Sequence, residues 1–355
     1  MNARSTVKRG YVRPLNLRDG QIEMAHGAGG RASAQLIDEI FLRAFDNPWL
    51  RQGNDGATLA PMLNPGERLV MATDAHVISP LFFPGGDIGS LAVHGTVNDV
   101  AMSGAQPLYL SASFILEEGF PLGDLKRIAD SMGQAAREAG VAIVTGDTKV
   151  VERGKGDGVF ISTTGIGVVA AGIDTSGHRA RPGDVILLSG SIGEHGVAIL
   201  SQRESLEFET QILSDSAALH ELVAAMLAVA PGLRVLRDPT RGGLATTLNE
   251  IAGQSGVGML LDEAAIPVQP QVEAACELLG LDPLYVANEG KLVAICAEQD
   301  ADALLRTLRA HPLGQNAARI GTVIADEHGF VQMHTRFGGR RVVDWLVGEQ
   351  LPRIC

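Results

Sequence analysis

Along this chain, short apolar segments with strand character alternate with segments that repeat at helical spacing. The alternation stops once, at Arg181-Pro182-Gly183-Asp184, and then begins again. That single interruption limits the architecture to two α/β units in series. In the first half Leu125, Ile128, Ala129, Met132, Ala136 and Ala139 mark one face of a helix. The pattern predicts further helices over 32–45 and 91–102, and strands over 21–25, 68–73, 108–116, 141–145 and 159–169. In the second half it predicts strands over 185–189, 258–261 and 292–297, and helices over 197–202, 216–229, 271–279 and 301–309. A strand–turn–helix spans 236–253. At 355 residues the chain has room for two domains of about 150–180 residues. We place an extension at 1–20, an N-terminal domain at 21–175, a C-terminal α/β domain at 176–347 and a tail at 348–355.

Composition narrows function by exclusion. Only 4% of residues are aromatic and the formal net charge is −12, which disfavours both stacking platforms and a broad basic surface for nucleic acid. The same charge disfavours an anionic membrane surface, and no apolar run long enough to span a bilayer occurs. Arg4, Lys8, Arg9, Arg13 and Arg18 make the start basic, but the apolar core of a secretory signal is missing, so the cytoplasm is the expected compartment. Cys276 falls in a helical pattern and Cys296 in an apolar strand, where both are expected as core residues; no C-x-x-C pair occurs. A small phosphate ligand remains compatible with so acidic a chain, because backbone amides and metal-bound carboxylates can hold it.

Three polar clusters interrupt the apolar pattern. His26-Gly27-Ala28-Gly29-Gly30-Arg31-Ala32 fits G-x-G-x-x-A in part, but the strand before it is short and no acidic residue clearly ends a second strand about twenty positions on. It reads as a phosphate cradle built on Gly27, Gly29 and Gly30, or as a plain tight turn. Asp74, Asp99 (after Asn98), Asp147 (before Thr148) and Asp238 each stand beside Gly, Thr or Asn at the edge of apolar sequence. Any one suits a cap or a turn. Together they suggest converging carboxylates for Mg²⁺ bridging nucleotide phosphates. Neither a Walker A motif, nor a G-x-S-x-G elbow, nor histidines at metal-ligand spacing are present. Asn288-Glu289-Gly290-Lys291 reads as a hairpin turn or as the carrier of a general base. Lys149 opens a loop after Asp147, as a solvated side chain or an electrostatic stabiliser.

The tail is Leu351-Pro352-Arg353-Ile354-Cys355. A terminal thiol is poorly placed for a core and well placed to react; the alternative is a frayed end. Pro352 stiffens the segment, and the apolar stretch 342–347 anchors its base. Eight extended residues reach at most roughly 26–29 Å. A stiffened arm with one reactive atom at its tip suggests a carrier.

Taken together, the stretches 26–30, 82–89 (Phe-Phe-Pro-Gly-Gly-Asp-Ile-Gly), 93–104, 146–151, 237–243, 287–291 and 351–355 resemble the HypE family of hydrogenase maturation factors. That family belongs to the ATP-binding group of aminoimidazole ribonucleotide synthetase and selenophosphate synthetase; the terminal Pro-Arg-Ile-Cys selects HypE within it. The resemblance implies an α/β fold of α+β type with two domains and mixed sheets packed with helices. It implies a homodimer with ATP near the interface of N-terminal domains, and a mobile carrier tail. A carbamoyltransferase partner, HypF, would load Cys355 with a carboxamide. The chain would then use ATP and Mg²⁺ to dehydrate it to a thiocyanate, through a phosphorylated amide oxygen. The cyano group would pass to iron held by HypC and HypD, on the way to a nickel–iron hydrogenase. Carried over residue by residue, Gly27, Gly29, Gly30, Asp74, Asn98, Asp99, Asp147, Thr148 and Asp238 would bind nucleotide, with Asp74, Asp99 and Asp147 on the metal. Glu289 would be the base, Lys149 the stabiliser and Cys355 the carrier. Two competing readings are a relative that phosphorylates a small molecule, and a scaffold whose tail only docks to maturation partners.

Overall fold

The computed structural model describes residues 14–28, 31–52, 57, 59, 63–204, 212–346 and 353–355. The first half begins with a 3-10 turn (Met24–Gly27), α1 (Arg31–Leu36), a π-helical turn (Ile37–Phe41) and α2 (Leu42–Phe45). There follow β1 (Arg68–His76), β2 (Phe82–Phe83), β3 (Gly86–Asp87), α3 (Ile88–Met102), β4 (Ala105–Glu117), α4 (Leu122–Glu138), β5 (Ala142–Val151) and β6 (Val159–Val169). The strand expected over 21–25 is replaced by the 3-10 turn. Only Gln21 bridges to a neighbour, Pro121. The turn wins because Glu23 and His26 close a capping box, with Glu23 N donating to His26 Nδ1 at 2.9 Å.

Four strands pair in the order β1-β6-β4-β5, with only β4 and β5 parallel. One face of this sheet, carrying Leu110, Ala112, Phe114 and Leu116, packs on Leu91 and Val97 of α3 and Leu125, Ile128 and Met132 of α4. Each such fully buried side chain contributes about 1.5–3 kcal/mol. The Asp87 carboxylate caps α3, accepting from Gly89 N at 2.7 Å and Ser90 N at 3.2 Å. The last turn of α3 then enters a core of the second half through Ala101 and Met102. The other face of the sheet is open: Leu69 is 53% exposed, Met71 71% and Ile115 44%.

The second half runs β7 (Val185–Leu188), α5 (Glu194–Arg203), α6 (His220–Val229), β8 (Val235–Arg237), α7 (Gly243–Ser255), β9 (Gly258–Asp262), α8 (Pro270–Leu279), β10 (Val293–Cys296), α9 (Glu298–Ala310), β11 (Ala318–Ile324), β12 (Val331–His334) and β13 (Arg340–Val342). Its sheet has the order β13-β12-β9-β11-β7-β10-β8, with β9 and β12 parallel. Ile186 and Leu188 face Leu244, Leu248 and Ile251 of α7. Val185 and Leu187 face Leu222 and Met226 of α6 and Leu304 and Leu308 of α9. Covered on both sides, these strands read as unbroken apolar runs. β11 to β13 go beyond the expected elements: a bulge between Arg319 and Gly321 upsets the alternation of β11, and the last two strands are very short. Cys276 and Cys296 are buried as expected, their thiols pushed up to about 11 and about 12 by burial. Among the described residues no helix is long and apolar enough to cross a membrane.

Candidate active site

Residues 348–352 of the tail lie outside the described residues, but Arg353, Ile354 and Cys355 are docked inward against both halves. Ile354 bridges antiparallel to Ile78. Val77 N donates to Cys355 O at 2.9 Å and Ser79 N to Arg353 O at 3.2 Å. From α5, the buried His195 donates through Nε2 to Ile354 O at 2.8 Å, and Arg203 donates to Arg353 O at 2.9 Å. Arg353 also pairs with Asp157 and has φ +56°, the one positive value at a non-glycine among the described residues. The tip is therefore docked and not frayed here.

Docking brings the Cys355 thiol near the Glu289 carboxyl, close enough for that charge to act on it. Burial, and next the Glu289 charge, push the thiol far above its ordinary value, so it stays protonated in this position. Glu289 is only 4% exposed, and its Oε1 has no hydrogen-bond partner among the described residues. Burial first, then Asp238, Asp215, Asp74 and Asp99, hold its carboxyl well above the ordinary 4.5. A buried carboxyl with a vacant acceptor beside a nucleophilic atom is the environment of a general base. Its loop is not the hairpin turn that 288–291 also suggested: Asn288 Nδ2 donates to Pro239 O at 3.0 Å, and Gly193 N donates to Asn288 Oδ1 at 2.7 Å. Asn98, expected among the nucleotide ligands, makes three hydrogen bonds inside the chain. Its Nδ2 donates to Ala217 O (3.0 Å) and Glu289 O (3.2 Å), and its Oδ1 accepts from Leu219 N (2.8 Å).

Three of the four aspartates share one neighbourhood. Asp74 faces α3, where a Cβ on Gly95 would stand 3.3 Å from its Oδ2, and His76 Nε2 lies 3.6 Å from the same oxygen. Asp99 and Asp238 line a cleft of about 820 Å³ between the halves, with Arg237 and Arg241. Burial, then Asp238 and Asp74, push Asp99 up to about 7; burial pushes Asp238 up to about 6. Carboxyls gathered this way form an all-oxygen set of the kind that suits Mg²⁺. Among the described residues, no three His, Cys, Asp or Glu side chains close into a ready-made metal shell. The fit is to an ion that keeps water and takes its remaining oxygens from phosphate.

Within one chain Asp147 stands apart from these three. Gly146-Asp147-Thr148-Lys149 is not a loop but the middle of β5. There Asp147 pairs with Ser113 and Lys149 with Ile115, on the open face of the sheet and opposite Ala112 and Phe114. Three strand spacings, roughly 14 Å, separate β5 from β1. Lys149 Nζ pairs with Asp147 Oδ2 at 2.7 Å, with both side chains exposed, so within one chain it is not beside Cys355. Gly27, His26, Asp147, Thr148 and Lys149 instead line a second cleft of about 260 Å³ with Ile37, Phe41 and Phe114. A Cβ on Gly27 would meet Val150 N at 2.8 Å, which explains the glycine there; Gly29 and Gly30 lie outside the described residues. Sequence reasoning missed His195, Asp215 and Arg241, whose surroundings arise only when the two halves meet.

The raised Asp99 carries a stability prediction. Its folded value, about 7, exceeds the ordinary 3.8, so between these values the folded chain binds a proton more tightly than the unfolded one. The stabilisation is complete below 3.8 and is lost as pH rises through about 7. Asp99→Asn cannot ionise. It should raise the thermal midpoint of the metal-free chain at about pH 8 and leave it unchanged at about pH 4, as scanning calorimetry would read. An unchanged midpoint at the higher pH would mean Asp99 is not electrostatically strained.

The chain matches the AIR synthase related protein family, the N-terminal domain over residues 53–169 and the C-terminal domain over 181–334. It is 77% identical over 350 residues to carbamoyl dehydratase HypE of Cupriavidus necator, covering 99% of each chain. A crystal structure of hydrogenase maturation protein HypE in complex with ATP superposes with a TM-score of 0.90 at 55% identity, covering 94% of this chain and 99% of that one. A HypE–HypF complex structure superposes at 0.77 and 48% identity, covering 88% and 99%. With both halves matched and identity this high along the whole chain, the protein belongs to the carbamoyl dehydratase HypE family of hydrogenase maturation proteins, within the AIR synthase related proteins.

Proposed function

We propose that this chain dehydrates a carboxamide carried on its own Cys355 to a thiocyanate at the expense of ATP, and that the cyano group becomes the cyanide ligand of iron in [NiFe]-hydrogenase maturation. The observation that carries this reading is the docked thiol of Cys355 near the buried Glu289, whose Oε1 has no hydrogen-bond partner among the described residues. A carboxamide on the sulfur would bring an N–H donor to that acceptor. Mg–ATP, when bound, supplies the phosphoryl group that turns the amide oxygen into a leaving group. Glu289 then takes the first nitrogen proton and passes the second to the departing phosphate as the C–O bond breaks and the nitrile forms, while the contacts from Val77, His195 and Arg203 hold the tail in register. Asp74, Asp99 and Asp238 would hold the metal. Gly27, Gly29, Gly30, Asp147 and Thr148 would hold the nucleotide. Lys149, paired with Asp147 away from Cys355, is assigned to the phosphates instead of the carboxamide.

Loading needs a different arrangement. The docked thiol is protonated and largely covered, and a thiol attacks as the thiolate. The tail therefore leaves the site to be carbamoylated by a HypF partner, returns for dehydration, and leaves again to deliver to iron on HypC–HypD. A solved relative that binds HypF supports the first of these steps. The open, partly apolar sheet face with Leu69 and Met71 supports a homodimer of N-terminal domains. Intact-mass analysis of Cys355 after incubation with HypF, carbamoyl phosphate and ATP tests the whole reading. We expect the mass of a carbamoyl group to appear first and to be replaced by that of a cyano group. ATP turnover that proceeds without carbamoylated Cys355 would instead point to a small-molecule kinase.

A further inference from the structure

The segment that crosses between the halves ahead of α6 touches both partners of the candidate site. Ser214 is fixed by its backbone, with Ser214 N donating to Pro84 O at 2.8 Å. Its hydroxyl donates to His195 Nδ1 at 2.8 Å, and the opposite nitrogen of that ring donates to Ile354 O at 2.8 Å, one residue from Cys355. Burial keeps the imidazole neutral, so it accepts on Nδ1 and donates from Nε2 at once. The next residue, Asp215, turns the other way. Its side chain is only 3% exposed; Oδ1 accepts from Glu289 N and Oδ2 from Gly290 N, each at 3.1 Å, and Lys291 Nζ balances its charge at 3.3 Å. The loop lies so close that a Cβ on Gly290 would fall 1.7 Å from Asp215 O, leaving room only for glycine.

We infer that Ser214 and Asp215 are a pair of positioning residues that set the spacing between Cys355 and Glu289, Ser214 by holding the tail through His195 and Asp215 by holding the loop that carries the carboxyl. Two adjacent residues on one anchored strand of chain fix both reacting partners in a single frame, so neither can drift without the other being felt. The catalytic half of this assignment rests on the function proposed above; the docking half does not.

The test uses the full chain with Ser214→Ala and Asp215→Asn. Two readouts are taken: the rate at which iodoacetamide alkylates Cys355 without nucleotide, followed by peptide mass, and single-turnover dehydration after prior carbamoylation. Ser214→Ala should raise Cys355 alkylation several-fold, because the tail loses its oriented imidazole. Asp215→Asn keeps one acceptor oxygen but sets an amide N–H₂ against a backbone N–H. It should slow dehydration by about 10–10²-fold, the scale of a misplaced reacting group, with ATP affinity unchanged. Wild-type alkylation in Ser214→Ala overturns the tail half whatever the chemistry proves to be. Wild-type dehydration in Asp215→Asn overturns the loop half. If the parent chain itself makes no thiocyanate while alkylation still responds to Ser214→Ala, the functional reading has failed and the docking clamp stands. A thermal melt within a few degrees of the parent shows that each variant is folded.

Discussion

Cys355→Ala is expected to fold and bind ATP as the parent does and to form no thiocyanate at all. The tail's grip is mostly backbone: Val77 N on the carbonyl of residue 355, Ser79 N on Arg353 O, and His195 on Ile354 O. Removing the sulfur leaves each of these in place, and Ile354 still fills its buried position. No other thiol can substitute, because Cys276 and Cys296 are buried core residues whose thiols are pushed far towards the protonated form. Incubated with the carbamoyltransferase, carbamoyl phosphate and ATP, the variant should show no change in mass, while nucleotide titration gives the parent's affinity. A cyano adduct anywhere on the variant, or normal hydrogenase maturation in cells that carry it, would refute the carrier role.

Much of the scaffold is legible because its periodicity is undisturbed. Strand β6 has the bounds 159–169 read from its alternation, since every second residue meets the helical layer. Strand β5 is cut short in the sequence reading at residue 145, because Gly146 and Asp147 look like a loop. As an edge strand with one open face it accepts a glycine, which lies against Ala112 O, and an exposed aspartate. The same face decides Lys149. Nearness to Asp147 in sequence says nothing about the side of the sheet it occupies, and that side is away from Cys355. Glu289 and Cys355 are legible as residues, one a charge between apolar runs and the other a terminal thiol, and the fold brings them together. The residues that hold them are not legible. Ser214 and Asp215 sit in a stretch indistinguishable from a surface turn, and His195 is one of several histidines without motif context; their meaning comes from contacts between the halves. Asn98 has a contact that the sequence does not announce: its amide joins α3 to the Glu289 loop.

Glu289→Gln should stall the reaction at the carboxamide. Glutamine keeps the length and planar shape of the side chain and can still meet the Cys355 sulfur, but it cannot take the nitrogen protons. Carbamoylated Cys355 should accumulate, ATP should still bind, and single-turnover dehydration should fall by about 10²–10⁴-fold, the usual worth of a positioned general base. Folding is not the cause to fear, because a neutral amide relieves the repulsion from Asp238, Asp215, Asp74 and Asp99 that now raises this carboxyl. The pH profile supplies the second arm. A base must be unprotonated to act, so the parent's rate should climb with pH through a midpoint above the ordinary 4.5 of a glutamate. In the variant that limb should vanish. Loss of less than about tenfold, with the limb still present, would move proton removal to another group and leave Glu289 as a positioning contact for the tail. Lys149→Ala makes the paired measurement. Weakened ATP binding with normal dehydration at saturating nucleotide places the lysine on the phosphates. A slow chemical step at full occupancy would return it to the carboxamide, and would require that it come from a second copy of the chain.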